Sequence, residues 1–90
     1  MLEERHREQA EYVTLKVRSQ NGNEMFFKIK RLAHLRKLIE VYCAKAGIII
    51  TTTRFLFQGE RIMGRHTAEL LGLENGDEII AVSEQIGGCY

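Results

Sequence analysis

The apolar residues between positions 12 and 46 change their spacing once, from every second residue to about every 3.6, and this switch constrains the fold more than any other feature. Tyr12–Arg18 alternates: Val13, Leu15 and Val17 share one face, and Thr14, Lys16 and Arg18 share the other. That is a half-buried strand. Gln20-Asn21-Gly22-Asn23 follows, and Asn-Gly is a strong hairpin signal because both residues accept positive φ. Met25, Phe27 and Ile29 then alternate with Phe26, Lys28 and Lys30, which predicts a second strand antiparallel to the first. From His34 the pattern becomes helical. Leu35, Leu38, Ile39, Tyr42, Cys43 and Ala46 form one apolar stripe on a helix over 34–46, capped at its end by Gly47. Its start is weak, since Ala33 stands where Ser, Thr or Asp would cap.

The remainder completes a sheet over that helix. Ile48–Thr53 is β-branched throughout and reads as an extended linker with one or two isoleucines tucked into the core. Arg54–Phe57 is a short strand turned by Gln58-Gly59, and Glu60–Met63 is a return strand centred on Ile62. Thr67 caps a helical turn through Leu71, Gly72 ends it, and Leu73 plugs the core. After a turn at Asn75-Gly76 comes the last strand, Glu78–Ser83, whose near-continuous apolar run suits a central, covered position. The helix makes the crossover that lets the first and last strands lie parallel at the centre. The expected class is α+β, a mixed four- to five-stranded sheet packed on one main helix.

Ninety residues make one domain. A chain of this size buries about 60 to 65% of its unfolded surface, so the core must be compact. The net charge of +1 argues against bulk nucleic-acid binding. It hides an asymmetry. Residues 28–45 carry Lys28, Lys30, Arg31, Arg36, Lys37 and Lys45 against the single acid Glu40, whereas residues 67–90 carry five acids and no Lys or Arg. A basic side and an acidic side suggest two kinds of partner. Cys43 and Cys89 have no metal or redox spacing, and Cys43 falls in the helical stripe as a small core residue. His6, His34 and His66 are scattered, with no nucleophile–base pairing, so an enzyme is not expected, nor a cofactor or a metal. Met1–Ala10 is charged and unlike a signal peptide, and no run approaches a membrane span. A reducing, intracellular setting follows, with no membrane partner. Residues 1–11 read as a flexible arm, 12–84 as the domain and 85–90 as a tail.

That tail, Gln85-Ile86-Gly87-Gly88-Cys89-Tyr90, carries two adjacent glycines that packing does not ask for. Two readings stand: a loose end, or a segment that threads a narrow enzyme channel and presents a carboxylate.

Phe27-Lys28-Ile29-Lys30-Arg31, followed by Leu35, Lys37-Leu38 and Tyr42-Cys43, is the most specific part of a resemblance that covers Tyr12 to Gly88. Arg54-Phe55-Leu56-Phe57-x-Gly-x-Arg-Ile, Glu74-x-Gly-Asp-Glu-Ile and Gln85-x-Gly-Gly continue it in order. The chain resembles the ubiquitin-like modifiers and, within them, SUMO, with Asn21-Gly22-Asn23-Glu24 and Phe26-Phe27 most like plant members. The resemblance implies a ubiquitin-like β-grasp and a function as a protein modifier, monomeric, in nucleus and cytoplasm. It implies cleavage between Gly88 and Cys89 by a SUMO protease. Gly88, with Gly87 beside it, would then be conjugated to target lysines by SUMO-type activating and conjugating enzymes. Those enzymes supply the catalytic residues.

The resemblance also implies a groove for SUMO-interacting motifs between the second strand and the helix, built on Phe26, Phe27, Ile29 and Leu38. Lys28, Lys30, Lys37 and Lys45 would rim it, a pattern that suits addition of an apolar strand with acidic flanks. Affinity should be micromolar, roughly −8 kcal/mol. Glu74, Asp77 and Glu78 would face the conjugating enzyme. The chain departs from the family pattern at Ile86, where Thr is usual, and at His34 and Ala68, where prolines are common. No lysine is followed by x-Glu or x-Asp, so efficient self-chaining is not expected. The rival reading is a non-conjugating ubiquitin-like interaction module from a larger protein, which keeps the groove and makes the tail incidental.

Overall fold

The computed structural model describes residues 11–83. The order is β1 (Tyr12–Ser19), β2 (Glu24–Lys30), α1 (Arg36–Ala46), a 3-10 turn (Ile50–Thr52), β3 (Thr53–Phe57), β4 (Glu60–Arg61), α2 (Ala68–Leu71) and β5 (Glu78–Ser83). One five-stranded sheet runs β2-β1-β5-β3-β4, with β1 and β5 parallel at its centre and the other pairs antiparallel. This is the mixed sheet that the spacing predicts, in the β-grasp arrangement that the resemblance implies.

The two hairpins turn differently. At the first, Ser19 N–H donates to Asn23 O at 2.9 Å and Gly22 N–H to Ser19 O at 3.0 Å. The loop is therefore three residues, and only Gly22 (φ +95°) is left-handed. Asn21 does not take the positive φ expected of it; its carboxamide instead accepts a hydrogen bond from the Ser19 hydroxyl. At the second hairpin, Gln58 (φ +54°) and Gly59 (φ +84°) are both left-handed between the paired Phe57 and Glu60. The two-residue turn thus sits where the sequence signal is weaker.

The helix begins two residues later than the apolar stripe implies. His34 forms a bridge with Thr67, and Leu35 stands at the cap without a side-chain hydrogen bond. The missing cap is supplied from elsewhere: Leu35 N–H donates to His66 O (2.8 Å) and Arg36 N–H to Gly64 O (3.0 Å). Gly64 permits that approach, since a Cβ there would lie 3.2 Å from the Arg36 Cβ. His66 is also held, its Nδ1 accepting from Met63 N–H at 3.0 Å. At the other end Gly47 takes φ +70° as expected.

Val13, Leu15 and Val17 of β1 pack against Leu35, Leu38, Tyr42 and Cys43. An aromatic chain spans the core: Tyr42 meets Phe27 edge-on (centroids 6.4 Å apart) and Phe55 likewise (5.7 Å). Burial pushes the Tyr42 phenol and the Cys43 thiol up from their ordinary pKa values, with Ser19 opposing the shift at Tyr42. Thr67 caps α2, its Oγ1 accepting from Leu70 N–H at 3.1 Å, and Leu73 is fully buried behind it.

Three expectations are corrected. Ile48, Ile49 and Ile50 are all exposed, because the 3-10 turn lifts the linker off the core. Ala46 is exposed too, so the buried stripe stops at Cys43, about one turn before the helix ends. On β5 only Ile79 and Ala81 are buried; Ile80 and Val82 lie half-buried on the face away from the helix, so the strand is central but not covered on both faces. Among the described residues no helix is long and apolar enough to cross a membrane.

Candidate functional site: an open sheet edge beside an apolar trough

The free edge of β2 follows from the register. Ser19 and Asn23 form a hydrogen-bonded pair, as do Glu11 and Arg31 through Arg31 N–H to Glu11 O at 2.6 Å. Hydrogen-bonded pairs recur every second residue in an antiparallel ladder, so Met25, Phe27 and Ile29 point their backbone groups at β1. Phe26, Lys28 and Lys30 point theirs outward. The Lys30 carbonyl accepts from Ala33 N–H (3.1 Å); the three outward N–H groups and the carbonyls of Phe26 and Lys28 face an edge that no strand covers among the described residues.

Beside this edge lies a trough of about 330 Å³ between β2 and α1. Phe27 and Ile29 form one wall, half-buried, and Leu38 and Val41 the floor and far wall, Leu38 being 2% exposed. Lys37 and Lys30 stand at its rim, and among the described residues neither pairs with a carboxylate. Lys28 is held over the Tyr12 ring, its Nζ 5.2 Å from the centroid.

The fold does not bring all the expected residues here. Phe26 lies on the opposite sheet face, 68% exposed, because strand alternation sends it away from its neighbour Phe27. Lys45 lines a separate hollow at the far end of α1, beside Ser19, Met25 and Ile48. Tyr12, Ala33, His34 and Val41 also line the trough, outside the residues that the sequence pattern points to. Val41 lies outside the apolar stripe by helical count, and Tyr12 becomes visible only once its pairing with Lys30 is known.

The acidic cluster is a built turn. Asp77 accepts from Glu74 N–H through Oδ2 (2.7 Å) and returns its own N–H to Glu74 O (2.9 Å). Glu78 is paired with Arg18 (2.8 Å) and Lys16 (3.7 Å) on the outer sheet face. Asn75 and Gly76 tether the turn to β1: Thr14 N–H donates to Asn75 Oδ1 (2.7 Å), and Gly76 N–H donates to Thr14 O (2.9 Å). Of the three carboxylates only that of Glu74 has no partner among the described residues. Gly87, Gly88 and Cys89 lie outside the described residues. Among those described, no group of three or more His, Cys, Asp or Glu could hold a metal ion.

Solved structures share this fold. An ubiquitin of Caldiarchaeum subterraneum superposes with a TM-score of 0.76 at 22% identity, covering 86% of this chain and 99% of its own. A de novo design based on ubiquitin gives 0.73 at 17% identity, covering 83% and 92%. Sequence relatives are closer. The ubiquitin-like protein pmt3/smt3 of Schizosaccharomyces pombe is 48% identical over 79 residues, 88% of this chain and 68% of the relative. Small ubiquitin-related modifier 2 of Arabidopsis thaliana is 41% identical over 86 residues, 96% and 84%. The second of these is named as a modifier, and the similarity is to ubiquitin-like proteins rather than to an enzyme. The profile described as "Ubiquitin-2 like Rad60 SUMO-like" matches residues 13–82, from the first core valine of β1 to the penultimate residue of β5. The chain therefore belongs to the SUMO-like family of ubiquitin-like proteins.

Proposed function

We propose that this chain is a SUMO-type modifier, conjugated through Gly88. The observation that carries the reading is one of position. The central strand β5 ends at Ser83, and Gly87-Gly88 follow it within five residues on a body that matches the family from 13 to 82. Hydrolysis of the Gly88–Cys89 bond frees the Gly88 carboxylate. An activating enzyme adenylates it with ATP, releasing pyrophosphate, and its own thiol displaces AMP to give a thioester; a conjugating enzyme's thiol receives the acyl group by exchange, and a lysine amine of the target displaces that thiol to leave an isopeptide bond. Glycine suits both positions because a closed channel leaves no room for a Cβ. The test is incubation with a SUMO protease and weighing the product. Loss of Cys89-Tyr90 is the expected result; an unchanged mass favours the non-conjugating module, for which Ile86 in place of the usual Thr is the residue to examine first. Gly88→Ala should sharply slow both cleavage and transfer.

The trough is the second half of the proposal. An extended peptide adds to the open β2 edge, its apolar side chains on Phe27, Ile29 and Leu38 and its acidic flank on Lys30 and Lys37. At the acidic turn Glu74 carries the contact with the conjugating enzyme, since Asp77 and Glu78 already have partners. The modifier acts as a monomer in nucleus and cytoplasm.

A further inference from the structure

The outer side of β2 carries an apolar group that the trough does not use. Phe26 is 68% exposed on the sheet face away from α1. Its charged neighbours on that face have partners on β1. Glu24 reaches Lys16 at 3.6 Å, and Lys28 lies over the Tyr12 ring, so the charges on either side of Phe26 are both drawn toward β1. Lys16, directly across the ladder from Phe26, is itself shared between Glu24 and Glu78. What remains at the open edge is an exposed aromatic ring beside its own outward N–H and C=O.

A strand added to this edge has two faces. Its residues opposite Phe27 and Ile29 send their side chains to the trough side; those opposite Phe26, Lys28 and Lys30 send theirs to the outer face. Resting on the trough reading given above, we infer that the partner strand is read on both faces, and that Phe26 selects an aromatic or β-branched residue at the outer position opposite it. The ligand is then a five-residue extended peptide of order aromatic, apolar, acidic, apolar, acidic, or the reverse. The acids face Lys28 and Lys30, and the order is set by the direction in which the strand adds. Cross-strand aromatic pairs have the reach and geometry for this contact.

The experiment titrates the full chain with Tyr-Val-Asp-Val-Asp and Asp-Val-Asp-Val-Tyr, each capped at both ends, and with the same peptides carrying Ser for Tyr. One of the two Tyr peptides should bind about two- to fivefold more tightly than its Ser control, and which one reports the strand direction. Phe26→Ser should erase that preference while leaving affinity for the Ser peptides unchanged, and Phe26→Tyr should keep it. Because Phe26 is exposed, the Ser variant should keep the wild-type amide spectrum. Equal binding of Tyr and Ser peptides, or a preference that survives in Phe26→Ser, overturns the inference but leaves the trough standing. Failure of every peptide to bind wild type removes the trough reading as well. Concentration-dependent dimerisation that Phe26→Ser abolishes would assign the ring to a second copy of the chain and overturn the inference in that way.

Discussion

At the β2–α1 trough, Lys30 and Lys37 stand beside half-buried apolar side chains and no described carboxylate pairs with them. At the Glu74–Glu78 turn, Asp77 is spent on a backbone N–H and Glu78 on two cations. Both regions appear in the sequence as a run of one charge. The fold leaves the first available and consumes most of the second. A charge cluster predicts a surface only when the neighbouring backbone does not need its carboxylates, and turns need them more often than helix faces do, because a turn leaves N–H groups unpaired.

The largest expected effect tests whether the trough floor is core or contact. Leu38→Ala should cost about 2–5 kcal/mol in urea unfolding, since the side chain is buried. Ile29→Ala, half-buried, should cost less and lose peptide binding. A Leu38 variant of full stability would move that residue from core to surface. Next comes the tether of the acidic turn. Asn75→Ala leaves Thr14 N–H to solvent and should cost about 0.5–1.5 kcal/mol, with faster hydrogen exchange at that amide. Unchanged exchange would mean that the other two bonds, Gly76 N–H to Thr14 O and Lys16 N–H to Asp77 O, hold the turn without Asn75.

Smaller effects separate the two charged regions. Lys37→Glu should weaken an acid-flanked peptide roughly tenfold at low salt, less at high salt, with melting unchanged. Glu78→Gln should move stability by no more than about 1 kcal/mol, because Glu78, Arg18 and Lys16 are all partly solvated, and should leave peptide affinity alone. A peptide effect of Glu78→Gln as large as that of Lys37→Glu would erase the contrast between the regions.

The trough was more legible than the turn. Phe27, Ile29 and Leu38 are found by periodicity, which burial enforces. Phe26 and Lys45 were placed with them because they neighbour the motif in sequence, yet alternation sends Phe26 to the other sheet face and the length of α1 carries Lys45 to another hollow. Asn75 reads from the sequence only as part of a turn, and it is also an acceptor that holds that turn to β1, a role set by a residue 61 positions away.

Hydrophobic spacing by itself determined the order of strands and helix, the buried face of β1 and the parallel centre of the sheet. Each of these follows from local alternation and from the crossover that a helix makes between parallel strands. Only the tertiary structure decided how the uncapped start of α1 is satisfied, by carbonyls of residues 64 and 66, and that the three isoleucines of the linker stay exposed. It also decided which backbone groups of β2 face solvent. That depends on the pairing partner of every second residue, information that belongs to two strands together and to neither alone.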